Sequence, residues 1–347
     1  MKDKSSTSYQ RRYCEQKDFN FLVLGGKVWY GKRSFVGDKS VRLINGCTYT
    51  KISDLRPNIE SRKHSKAVFV KGEIFLFGGL TLDRELVQTV EKYSITSNRW
   101  ESIAELNQNH SGYSVCSFMD KVYLIGGEGK FVIYNEKKST NNIDDSDESF
   151  GSESDDFDIV KKIFNSCLEF DTKSYKLKKV SCMNFVRSFG SSSVVFEEKV
   201  VIAGGRDDDY SITNTVESYD VFADKWALMP SLTKNFSGVL LVTVKNKLLA
   251  FKNHGVNPCE VFDKISNKFM TLIIPMEIYP VFDVHSTIGN KIFVFPGNGV
   301  RKDGIRSIAY YYDVDENDWS ELTFEIPKRL KKFNCLKVPS VELFNFE

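Results

Sequence analysis

Short apolar runs alternate with glycine-containing breaks along most of the chain. Each run is too short for a helix and rich in Val, Ile, Leu and Phe, the signature of a buried strand. The runs end on paired positions at Gly25–Gly26, Gly78–Gly79, Gly126–Gly127 and Gly204–Gly205, with two decayed copies at Lys252–Asn253 and Pro296–Gly297. Paired glycines permit positive φ and let another backbone pass close by. The second members of these pairs lie 53, 48, 78, 48 and 44 residues apart. Downstream of them, large aromatics recur at a seven-residue spacing: Tyr93/Trp100, Tyr219/Trp226 and Tyr312/Trp319, with Phe262/Phe269 as a variant. Glu91 and Glu217 precede two of the tyrosines in Val-Glu-x-Tyr segments, which read as the third of four strands. Another strand and a tight turn come before each apolar run, at VKGEI (70–74), MDKV (119–122), VKNKL (244–248) and IGNKI (288–292).

A four-strand unit repeated about every 50 residues is a propeller blade, and this period is that of kelch repeats. The chain resembles the Kelch family over nearly its entire length, in its glycine pairs, its Val-Glu-x-Tyr segments and its Trp positions. The resulting expectation is an all-β, six-bladed kelch β-propeller with four antiparallel strands per blade. Its blades are expected at about 18–56 plus 329–338, 57–108, 109–184, 185–233, 234–277 and 278–328. The first blade lacks an inner strand. RLKKFNCLKVPSV (329–341) aligns without gaps on RKHSKAVFVKGEI (62–74), so the C-terminal region is expected to supply that strand and close the ring, removing an open edge. Asn45–Gly46 marks a tight hairpin turn in the same blade. Residues 1–17 read as a polar, poorly ordered lead-in and 339–347 as a tail. Blades 5 and 6 depart most from the pattern and are expected to be the least well packed. In the run Tyr310-Tyr311-Tyr312 at least one ring is expected to face outward.

Blade 3 carries an insertion. Residues 136–158 are polar and Ser-rich, and 144–158 holds eight acids with no Lys or Arg. Such composition buries too little surface to offset chain entropy, so a disordered acidic loop is expected between the second and third strands. Without those eight acids, 38 remain against 48 Lys and Arg, so the rest of the chain is about +10 although the whole is +2. A tethered acidic loop can screen a basic binding face, and a plain solvated insertion remains the alternative. Ser152, with Asp155 three residues on, is a possible phosphosite for an acid-directed kinase.

Net charge near zero gives no expectation of nucleic-acid binding, and no apolar run reaches the ~18 residues of a membrane span. The seven cysteines are odd in number, scattered and without a CxxC, and no apolar N-terminal segment of signal length is present. Reduced thiols in a cytoplasmic or nuclear protein fit that pattern. The four histidines, His64, His110, His254 and His285, have no metal-ligand spacing. GGRDDDY (204–210) is either a cation site or a solvated loop. No cofactor, metal or catalytic motif is expected, and the copper-radical oxidases and sialic-acid epimerases that also use kelch propellers find no motif here.

A binding module remains. The motifs and the closing strand are similar to the propeller of BTB–BACK–Kelch (kelch-like) proteins, whose members hold protein substrates for cullin-RING ubiquitin ligases. The resemblance implies a substrate-recognition propeller, with a cytoskeletal, actin-binding kelch protein as the alternative and a propeller enzyme, a sugar epimerase or oxidase, as a third. The 347 residues hold no counterpart of BTB or BACK. Loops after the glycine pairs and those leading into each inner strand share one face. Tyr30, Arg33, Arg62, Arg84, Arg187, Arg206, Tyr210 and Arg301 are the candidate partner-binding residues there, of types enriched at hot spots. They form a basic rim suited to an acidic peptide or loop. Capping of loop carbonyls is the alternative role for each arginine.

Overall fold

A computed structural model describes residues 20–24, 27–31, 34–37, 40–45, 48–54, 62, 64–81, 85–106, 110–134, 157–236, 238–252, 259–273, 282–296, 308–325, 330–331 and 334–338. Every regular element among them is a strand. Five four-stranded antiparallel sheets are each formed by one continuous stretch of chain: blade 2 starts at Lys66–Val70, blade 3 at Ser114–Phe118, blade 4 at Ser191–Phe196, blade 5 at Val239–Val244 and blade 6 at Phe282–Ile288. A further four-stranded sheet, blade 1, is composite. Its inner strand, Asn334–Val338, comes from the C-terminal region and pairs with Asn20–Leu24, with Leu22 opposite Leu336.

Neighbouring inner strands touch in sequence, blade 2 to 3, 4, 5 and 6, then to the strand Asn334–Val338 and back to blade 2. The fold is therefore a closed β-propeller. Closure is apolar on both sides of the composite blade. Phe21 packs against Phe293 and Phe295 of blade 6, with centroids 5.1 and 5.3 Å apart. Leu336 packs beside Leu24 against Ile74, Tyr93 and Trp100 of blade 2.

The repeat motifs have visible causes. The second strand of blades 2 to 6 is buried on both faces, as at Ile74, Phe75, Leu76 and Phe77, which explains its unbroken apolar run. Gly126 has φ +72°, and a Cβ there would collide with the carbonyl oxygen of Arg187 in the loop leading into blade 4. Gly127 N–H donates to that same oxygen at 2.7 Å. The glycine pair thus lets one blade receive the lead-in of the next.

In the outer hairpins of blades 2, 4 and 6, Tyr93 meets Trp100, Tyr219 meets Trp226 and Tyr312 meets Trp319, with centroids 5.0, 5.0 and 5.2 Å apart. In each case the Tyr hydroxyl donates to a turn residue held at positive φ: Asn98, Asp224 and Asn317, at 2.7, 2.7 and 2.6 Å. Asn and Asp tolerate that backbone conformation better than most residues, and here the ring also needs their oxygen. Blade 5 keeps the geometry with Phe262 and Phe269 at 5.3 Å and Asn267 at positive φ.

Three packing expectations are corrected. Blade 5 is not loosely packed, because Leu248, Leu249, Ala250 and Phe251 are fully buried. On its outer hairpin Ile265 and Met270 are exposed. Trp319, a motif residue placed by the sequence in a poorly packed blade 6, instead joins that blade to its neighbour. It is half-buried, and besides Tyr312 of its own hairpin it meets Phe251 of blade 5 edge-on, with centroids 6.5 Å apart. The seven-residue spacing to Tyr312 identifies the hairpin, but the contact across blades comes from the ring closing. None of Tyr310, Tyr311 and Tyr312 is exposed: Tyr312 is buried, and Tyr311 lies half-buried beside Phe293 with Lys291 over its ring. Among the described cysteines, Cys116, Cys167 and Cys259 are buried thiols and Cys182 an exposed one. Burial pushes the Cys116 thiol up to about 12.

Candidate protein-interaction face

The tight turns gather on one face and are tied across blades by ion pairs. Lys71 of blade 2 meets Asp120 of blade 3, Lys264 meets Glu197, and Lys245 meets Asp315, while Lys173 meets Asp120 within blade 3. These groups are exposed or half-exposed, so each pair contributes little to stability on its own.

The opposite face is built differently. Two small three-stranded sheets stand over the propeller there, one at blade 1 and one at blade 3. At blade 1, Lys27–Gly31 and Ser34–Gly37 form a hairpin, and Leu330–Lys331 joins its first strand. At blade 3, Glu128–Tyr134 and Phe157–Ile163 form a longer hairpin, and His110–Ser111 joins its first strand. Both sheets use one rule: a segment between blades pairs with an overlong connection between a blade's second and third strands. In the sequence the first connection is legible only as a loop after a glycine pair. The insertion of blade 3 has strand flanks, with Phe157 and Asp158 already in a strand, and 135–156 lie outside the described residues.

Between the blade 3 hairpin and blade 4 sits the loop that follows Gly205. Arg206 bridges to Ile212, and its guanidinium donates to the Tyr210 carbonyl at 2.7 Å. The carbonyl-capping role expected as an alternative is thus present at Arg206, with the side chain still half-exposed. Asp207 also organises this loop, accepting the Ser211 N–H at 2.8 Å. Tyr210 is exposed, with Lys161 over its ring at 5.8 Å. Partial desolvation, together with the nearby negative charge of Glu128, raises its phenol above the usual range. Tyr210 therefore couples the loop to the blade 3 hairpin.

Arg62 and Arg187 are corrected. Neither is on a rim: both are buried, and Arg187 is fully enclosed. Arg187 donates to the carbonyls of Gly204 and Thr215, both at 2.9 Å, and pairs with Glu217 at 2.9 Å. The other Glu217 oxygen accepts from the backbone and side chain of Asn184 at 2.7 and 2.8 Å. Arg62 repeats the arrangement, reaching Gly78 O at 3.4 Å, Thr89 at 3.0 Å and Glu91 by an ion pair. In blade 5 no arginine among the described residues reaches the carboxylate, and Glu260 is held by the N–H and hydroxyl of Thr233 at 2.8 and 2.6 Å. A buried guanidinium needs acceptors, and these sites supply them inside the blade to the terminal nitrogens of both arginines, while each Nε is buried without a partner among the described residues. The signal was present in the sequence as an Arg 29 or 30 residues before the Glu of Val-Glu-x-Tyr.

Tyr30 lies in the first strand of the blade 1 hairpin. Arg33, Arg84, Arg301, Gly25, Gly26, Gly297 and Ser152 lie outside the described residues. Among the described residues no group of three or more His, Cys, Asp or Glu side chains is arranged to hold a metal, so the Asp207–Asp209 run shows no such group. His64 instead packs edge-on against Phe189 at 5.0 Å. No helix among the described residues is long and apolar enough to cross a membrane.

Closure, the stacked Tyr/Trp hairpins and the buried Arg–Glu pairs define the class, a repeat-built β-propeller. A profile of the Kelch motif matches residues 61–107 and 187–233, the two stretches that carry Arg62–Glu91 and Arg187–Glu217. Kelch-like protein 40 of Xenopus tropicalis is 29% identical over 193 residues, covering 54% of this chain and 26% of that protein. Kelch-like protein 35 of Mus musculus is 26% identical over 215 residues, covering 58% and 36%. Kelch repeat and BTB domain-containing protein 2 of Cowpox virus (strain GRI-90 / Grishak) is 23% identical over 120 residues, covering 34% and 21%. The chain is a Kelch-repeat β-propeller resembling the kelch-like proteins, and it spans only about a third or less of these relatives.

Proposed function

We propose that this propeller is a protein-binding module that holds a segment of a partner on the face carrying the two small sheets. In this reading it is the substrate-recognition part of a cullin-RING ubiquitin ligase adaptor. The observation that carries the reading is the asymmetry of the two faces. One is closed by short turns and inter-blade ion pairs, whereas the other projects hairpins at blades 1 and 3 and an exposed Arg206–Tyr210 loop at blade 4. Similarity to kelch-like proteins, and to a viral relative whose name includes a BTB domain, supports the adaptor role. The binding set is Tyr30, Arg33, Arg84, Arg206, Tyr210 and Arg301, with Arg62 and Arg187 removed from it because they are internal.

Affinity capture from cells tests this. Changing Arg206 and Arg301 together to Ala should weaken capture of the bound proteins, including cullin-associated ones, and leave the melting temperature almost unmoved. Capture that survives this pair but fails when Lys71 and Gly72 are altered places binding on the turn face and defeats the proposal. Co-sedimentation with actin filaments that is insensitive to Arg206 and Arg301 would point to the cytoskeletal role instead.

A further inference from the structure

We propose that the free edge of the strand Phe157–Ile163 is a docking site for an extended acidic segment of a protein partner, which adds to the blade 3 sheet as a fourth strand. This rests on the protein-binding reading above and names the mode of binding and the chemistry of the ligand.

The sheet is ordered His110–Ser111, Glu128–Tyr134, Phe157–Ile163. Its first edge is short, only two residues. Its other edge is seven residues long, and among the described residues no strand pairs with it. In an antiparallel ladder, alternate residues of an edge strand direct their N–H and C=O outward, a ready template for another strand. Main-chain pairing of this kind is a recurring way to bind extended peptides.

The base of the edge is held firmly, which limits the ordering cost of binding. Phe164 N–H donates to Gly127 O at 2.9 Å, and Arg187 N–H donates to Phe164 O at 3.0 Å. The backbone of buried Arg187 thus anchors the edge to the blade core, and the Lys161 ammonium of the edge lies over the Tyr210 ring.

Charge selects the ligand. Lys161 and Lys162 are adjacent, so they point to opposite faces of the sheet, and both are exposed. Among the described residues neither has a carboxylate at ion-pair distance. Their ammonium groups lie over the rings of Tyr210 and Phe164, at 5.8 and 5.9 Å. An added strand with two successive acids would meet a lysine on each face, in the cross-strand arrangement that favours opposite charges. A neutral or basic strand would gain the ladder bonds and lose this match.

The test uses the whole chain and a blocked synthetic peptide with a central Glu-Asp pair flanked by Val and Thr. A second peptide carries N-methyl groups on alternate backbone nitrogens, which keeps the charge and removes strand pairing. Fluorescence anisotropy should show the methylated peptide binding at least about tenfold more weakly, the equivalent of losing two net hydrogen bonds. Lys161→Glu with Lys162→Glu should weaken the unmodified peptide by a similar factor. Hydrogen exchange should slow at alternate amides of 157–163 only when the unmodified peptide is present. Equal binding of the two peptides, no binding of either, or protection confined to 206–212 would each overturn the proposal. Sedimentation showing a dimer without peptide would do the same, since a second copy would then own the edge. The two readings separate in cells. Partner capture that persists with both lysines reversed but falls with Arg206 and Arg301 changed defeats the edge and keeps the binding face. Capture unaffected by either pair defeats the binding face itself.

Discussion

Arg187 and Glu217 form an ion pair at 2.9 Å in which neither side chain is exposed to solvent. The guanidinium lies between the last carbonyl of the second strand and the third strand's carboxylate, and burial lowers its pKa against the opposing pull of Glu217. Breaking a buried pair on one side leaves the other charge stranded, at a cost of about 3–5 kcal/mol. Arg187→Met should therefore destabilise the chain by an amount in that range. Arg187→Met with Glu217→Gln should recover part of it, because the carboxylate is no longer charged. Denaturant titration of the three proteins measures this, and a single-variant loss below ~1 kcal/mol would contradict the assignment of Arg187 to the blade core.

Deletion of 329–347 removes the inner strand of blade 1. Leu24 and its neighbours in the cluster with Ile74 and Trp100 lose Leu336, and Asn20–Leu24 becomes an open edge. With ~1.5–3 kcal/mol tied to each large apolar side chain uncovered, the truncated chain should aggregate or melt far below the full one. A truncated protein that stays monomeric and melts at the same temperature would show that the ring does not depend on closure.

Replacement of 136–156 by a short Gly-Ser linker should leave stability nearly unchanged. Loop-closure cost changes by only ~0.6 kcal/mol per doubling of length. Extending the replacement through 158 would take Phe157 and Asp158 out of their strand, so the boundary matters. A loss above ~2 kcal/mol with the shorter replacement, several times the closure term, would mean that the segment packs on the propeller.

Asp171 carries part of the acid sensitivity. The Lys121 ammonium, and then the backbone N–H groups of Ser174 and Lys173, hold its carboxyl well below the usual range. The folded chain binds this proton more weakly than the unfolded chain does. Its contribution is therefore complete above the unfolded value near ~3.9 and is lost as pH falls through the lower folded value. Asp171→Asn keeps the turn acceptor and removes the charge. Its melting temperature should fall less steeply than wild type below about pH 4, and parallel curves would assign the acid limb elsewhere.

Tyr219→Phe isolates the hydroxyl that donates to Asp224 at 2.7 Å while keeping the stack on Trp226. A loss of ~1 kcal/mol is expected, that of one net hydrogen bond. Blade 5 has Phe262 at this position and retains the turn, so the fold should survive. A change of several kcal/mol would show that the hydroxyl, and not the ring, organises the hairpin.

Much of the architecture was legible because its causes are local or repeat. An apolar run ending on Gly204–Gly205 and a Tyr seven residues before a Trp are each one blade's internal chemistry, and repetition turns them into a propeller. The closing strand was legible because 329–341 copies the spacing of 62–74. Contacts between blades were not: the spacing from Tyr312 to Trp319 gives no sign that Phe251 of blade 5 lies against the indole. Pairings between residues about 30 positions apart were hidden in the same way. Arg187 in a loop looks like a surface residue until the chain folds and Glu217 arrives at 2.9 Å. The same holds for the blade 3 edge. Alternation along FDIVKKI can suggest a strand, but only the register of Phe157–Ile163 on Glu128–Tyr134, and of that strand on His110–Ser111, decides which side stays open among the described residues. Local periodicity is set by bonded neighbours and recurs within each blade. Charge partners and free edges depend on which distant segments meet, and only the tertiary structure decides that.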